Sequence, residues 1–228
     1  SRIDALLAQP PSPEELAELA RGPEIVVDAD VPPADAARAR AFVVGMLRAA
    51  AAIRFDAPMP ITGVTRMMDY LRAQVPHIRI TRTDDGTWRA RLFDPQGQPW
   101  RGIIMDATHI GHPDRWDEGA NQVIVLMHEA RHLDAPERGH NCAADCSTCV
   151  SDLYARSIGM PEGTGVRRDQ SVAFGGAYAV HHYAALWLAD HSGDWLSAAQ
   201  REQMRVFARA TVENNTCEGR TPTMLRMP

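Results

Sequence analysis

Residues 123–134 read VIVLMHEARHLD. Five consecutive apolar residues, Val123 to Met127, run directly into His128, Glu129 and, four residues after the first histidine, His132. A run this apolar belongs in the interior, so the histidines enter on a buried helix. On a helix, positions i and i+4 lie on one face, one above the other. His128 and His132 therefore aim two imidazole nitrogens at one point. Glu129 is offset by roughly 100° and stands beside the pair.

That geometry suits zinc, which takes nitrogen donors at about 2.0–2.1 Å in a tetrahedral arrangement with one position left for water. Zinc lowers the pKa of such a water to about 7, and a carboxylate beside it can take the proton as the water attacks a carbonyl. Glu129 is the expected general base, and His128 and His132 the expected metal ligands. The plainer reading is a core helix whose histidines are satisfied by hydrogen bonds. It is less economical here, because buried histidines need partners and a metal supplies one.

The stretch resembles the zincin metallopeptidases, whose HExxH helix is matched over residues 121–134, with Val125, Leu126 and Met127 as the lead-in. The resemblance implies a zinc-dependent hydrolase, acting on peptide or other amide bonds, and a zincin-like active-site helix. Two positions depart from the usual pattern: Arg131 is charged, and Asp134 stands where an apolar residue is common. Asp134 is a candidate to orient a ligand imidazole.

A third protein ligand is expected. His140 is the first choice, eight residues after His132 and just past Gly139, which lets the chain turn back. This is similar to the metzincin layout, with a loop two residues longer and Ala135 at the glycine position. SIGMP, with Met160, resembles the methionine turn of that clan. Asp152, Asp145 and Asp169 are the alternatives. On the apolar segment 169–191, Tyr178, His181 and His182 share a helical face. Tyr178 and His182 are the candidates to stabilise the oxyanion, a role zincins often give to Tyr or His. WRGIIMDA is expected to be an edge strand that pairs with extended substrate, with His109 and His112 in the loop after it.

The cysteines are Cys142, Cys146, Cys149 and Cys217. An even count with this clustering is expected to make two disulfides in an oxidising compartment, one tying Cys217 back to the 142–149 loop. Export to the periplasm or outside is therefore expected, with a signal segment that is absent from this chain. CAADCSTC also has the cysteine spacing of radical S-adenosylmethionine enzymes, but those need a large βα barrel that about 80 downstream residues of helical pattern do not supply. A structural zinc held by His140 and three cysteines is the chemical alternative. It would suit a different class, a non-enzymatic secreted binding module.

The chain has 228 residues, and 45% of them are hydrophobic, enough for a core of one domain. We read residues 1–75 as a helical N-terminal part and 76–228 as the catalytic part of that single domain. Net charge is −5 without a dense basic patch, so nucleic acid is not expected as a partner; the peptide or protein substrate is what the zincin resemblance implies. No apolar run is long enough to span a bilayer.

Along the chain, Ser12 and Glu15 predict a capping box with Pro13 at the first helical position and Gly22 at the end. PEIVVDADVPP reads as a short extended piece. Helices are predicted over 34–54, about 62–74, 121–134, 169–191 and, capped by Ser197 and Gln200, from there to about 215. HIRITRT and TWRARLF flank DDG and read as a β-hairpin, with WRGIIMDATHI a third strand. A short helix is expected at 147–157. The expected fold is α+β, mostly helical with a small antiparallel sheet.

Overall fold

The structure is a computed structural model describing residues 1–59, 61–83, 88–93, 99–108, 110, 119–134, 177–191, 193 and 195–214. Within them lie seven helices and one four-stranded sheet. In chain order these are α1 (Arg2–Ala8), α2 (Pro13–Leu19), β1 (Glu24–Val27), α3 (Pro33–Ala52), α4 (Met67–Gln74), β2 (His77–Thr81), β3 (Trp88–Phe93), β4 (Pro99–Asp106), α5 (Gly119–Asp134), α6 (Ala177–His191) and α7 (Ala198–Asn214).

The helix starts are set locally. At α2, the Ser12 amide donates to Glu15 at 2.7 Å while the Glu15 amide donates to Ser12 Oγ at 3.2 Å, the reciprocal box expected from the sequence. Ser197 and Gln200 do the same for α7, at 2.9 and 3.2 Å. A third box was not foreseen: Ser1 and Asp4 cap α1, an element missing from the sequence reading. The helix expected from about Thr62 begins later, at Met67, because Arg66 pairs with Arg54 in an isolated β-bridge and holds the preceding residues extended.

The sheet corrects three expectations. Strand order is β1-β2-β4-β3, with β1–β2 and β2–β4 parallel and only β3–β4 antiparallel, so the sheet is mixed rather than antiparallel. β2 and β3, the strands on either side of DDG, do not pair as a hairpin either, because β4 lies between them and takes both as partners. The physical reason is burial. β4 carries Gly102, Ile103, Met105 and Asp106 buried, and its Ile103 and Met105 pair with the equally buried Ile78 and Ile80 of β2. A strand this apolar is most stable with neighbours on both edges. β3, with Arg91 and Leu92 exposed, is left at the edge among the described residues. The edge position expected for β4 is therefore not found: β4 is an inner strand, and β3 takes the edge beside it.

One core joins these elements, running from α3 (Val43, Met46, Leu47, Ala50) through Met67, Met68 and Leu71 of α4 and the sheet to Val123, Ile124, Leu126 and Met127 of α5. Arg48, almost fully buried, ties the N-terminal helices to α3: it donates to the Leu6 carbonyl at 2.8 Å, to the Gln9 carbonyl, and to Glu15 at 2.9 Å. No helix among the described residues is long and apolar enough to cross a membrane.

Candidate functional site

α5 supplies the centre of the site. It is buried nearly all round, packed against α4, α6, β3 and β4, and its last turn is pinned from two sides. Arg101 of β4 donates to the Leu133 carbonyl at 3.2 Å, satisfying one of the carbonyls that a helix end leaves open. Asp134 accepts from the Tyr70 hydroxyl of α4 at 2.9 Å and from Arg131 of its own helix. Burial and that carboxylate push the Tyr70 phenol above its ordinary range. Asp134, a candidate to orient an imidazole, thus anchors the helix end to α4.

With the helix fixed, His128 and His132 converge. Their Nε2 atoms lie 3.2 Å apart, with ring centroids at 4.9 Å and planes at 76°. Two imidazoles sharing a tetrahedral ion at about 2.0–2.1 Å place their donor nitrogens about 3.3–3.4 Å apart. The observed pair fits that arrangement. Among the described residues no group of three His, Cys, Asp or Glu side chains forms a complete donor set. His140, Asp145, Asp152 and Asp169 lie outside the described residues, as do His109, His112, Met160 and all four cysteines.

Glu129 points to the sheet. Its Oε2 accepts the Ala90 backbone N–H of β3 at 2.8 Å. Burial pushes its carboxyl up to about 7, with the Ala90 bond working in the opposite direction. A carboxyl so placed is poised to exchange a proton near neutral pH. The edge strand and the HExxH helix are therefore joined through the proposed base.

α6 closes the other side. His181 lies against His128, ring centroids 5.5 Å apart and planes at 84°, and stacks on Phe207 of α7 at 4.6 Å. Burial, with His182 adding to it, holds its imidazole down to about 3, so it is neutral at ordinary pH. His182, one of the two oxyanion candidates, is fully buried, and its Nδ1 pairs with the Ala208 carbonyl of α7 at 2.9 Å. The other candidate, Tyr178, has its side chain outside what is described. Sequence spacing put His181 and His182 on one face. The 100° step between adjacent helical residues instead sets His181 between His128 of α5 and Phe207 of α7, and turns His182 to the Ala208 carbonyl of α7. Ala90 had no side-chain signal by which it could be found; its contribution is a backbone amide.

Comparison with protein-family models, with curated proteins and with solved structures finds no match to this chain.

Proposed function

We propose that this protein is a zinc-dependent hydrolase of peptide or related amide bonds. The observation that carries the reading is the convergence of His128 and His132 to 3.2 Å beside a buried Glu129 carboxyl. The chemistry zinc supplies at such a site is Lewis-acid activation of water and of the scissile carbonyl. Glu129 takes the proton from the attacking water and delivers it to the departing amine nitrogen. His140 is proposed as the third donor. The neutral His181 ring packs on His128 and limits the orientations that ring can take. β3, antiparallel at the edge of an otherwise parallel sheet and bonded to Glu129, lies where an extended substrate backbone can pair.

The test joins metal content to activity. Zinc-loaded Glu129→Gln is expected to keep one zinc per chain and its fold while losing at least a hundredfold in hydrolysis of unfolded casein, since general-base catalysis contributes about 10²–10⁴-fold. The double variant His128→Ala/His132→Ala is expected to lose the zinc. Zinc retained tightly by that double variant defeats the proposal and favours a structural metal at the cysteine cluster.

A further inference from the structure

The bond between Ala90 and Glu129 has a consequence for how a substrate enters. Ala90 is opposite Ile103 in the β3–β4 ladder, yet its N–H reaches Glu129 on α5. The amide therefore points away from β4. In an antiparallel ladder the N–H and C=O of one residue point to the same side, so Ala90 presents its pair of backbone groups outward from the sheet. An extended chain joining β3 would exchange two hydrogen bonds with a residue placed this way. A backbone amide has one proton to give, and Glu129 already holds it.

We propose that the Ala90 N–H is a latch: it holds the Glu129 carboxylate while the cleft is empty, and an extended chain that pairs with β3 takes this N–H for its own carbonyl and releases Glu129 toward the water. The inference rests on the hydrolase reading and names its substrate class, segments of polypeptide able to lie as a β-strand. A small amide with no backbone to pair leaves the base docked on the strand and is a poor substrate. Glu129 is thus both base and plug. Its removal opens the strand as well as disabling catalysis, an effect that a purely catalytic carboxylate would not have.

Two zinc-loaded variants that cannot cleave separate these roles. The Glu129→Gln side chain retains an oxygen that accepts the Ala90 N–H, whereas the Glu129→Ala side chain leaves the amide open. Fluorescein-labelled, reduced and carboxymethylated insulin B chain is titrated against each and followed by anisotropy. The Glu129→Ala variant is expected to bind about tenfold more tightly, the scale of one hydrogen bond left to the ligand. In amide hydrogen exchange, Ala90 is expected to be protected in wild type, unprotected in Glu129→Ala, and protected again when the B chain is added. Equal affinities, or B-chain binding without protection at Ala90, overturn the latch while leaving the hydrolase reading intact. Failure of both variants to bind the B chain, with zinc retained, instead removes the peptide reading and the latch with it.

Discussion

His181 and His182 are adjacent in sequence and have separate tasks in the fold. His181 lies on His128, whereas His182 is bonded through Nδ1 to Ala208 and buried between α6 and α7. Burial holds the His182 imidazole below its ordinary pKa, with the Ala208 carbonyl partly opposing that. As the pH falls, the unfolded chain therefore takes up this proton before the folded one does. The stability contribution is whole above the unfolded histidine value, about 6.5, and is lost as the pH falls from there toward the lowered folded value. Glu129 acts in the opposite sense: its carboxyl is raised to about 7, so its contribution is present at low pH and lost as the pH rises through that value. Comparing His182→Gln with wild type cancels the Glu129 part, and glutamine can still donate to the Ala208 carbonyl. Urea unfolding between about pH 7.5 and 5 should show a shallower loss of stability on acidification in the variant, by up to about 1.4 kcal/mol per pH unit. Parallel curves for the two proteins would refute this.

At the scale of elements, the chain announces its helices where caps and periodicity are strong. Ser12–Glu15 and Ser197–Gln200 form the boxes their spacing foretells, and the apolar HExxH stretch is the buried helix α5. Strand partners were not legible. The segments around DDG are close in sequence, but the burial of β4 outweighs their proximity and places β4 between β2 and β3. Helix crossings were equally hidden. Gly45 sits where α1 crosses α3, and a Cβ there would lie 2.8 Å from Leu7 Cα and 3.3 Å from the Leu6 carbonyl oxygen. Gly45→Ala gains about 1 kcal/mol of helix propensity, and forcing the two backbones apart costs about 1–3 kcal/mol, so a net loss of about 1 kcal/mol is expected. Chemical denaturation measures it; a variant as stable as wild type would show that the crossing is loose.

For the whole molecule, the site is a junction. α5 brings the histidines and Glu129, β3 brings an amide, α4 and β4 pin the helix end, and α6 closes over His128. A ligand bound at a junction of this kind stabilises the entire fold in proportion to ln(1 + [L]/Kd), about 2.7 kcal/mol at a hundred times Kd. Under the proposed reading, zinc at that level raises the melting temperature by roughly 5–10 °C for a chain of this size. The shift should vanish in His128→Ala. A zinc-dependent rise of the same size in that variant would place the metal elsewhere.

Sequence by itself determined the local terms: that the segments forming every helix after α1 are helical, where several of them start, and that His128 and His132 share one face, because a 3.6-residue period and a capping side chain act over a few residues. It also isolated Glu129 as the carboxyl beside that pair. Tertiary structure alone decided that β4 is an inner strand, that β3 is an edge strand, and that the carboxyl docks on Ala90. It likewise decided that His181 rather than His182 meets His128. Those outcomes depend on which surfaces of distant segments bury one another, and that competition is settled only when the whole core is packed.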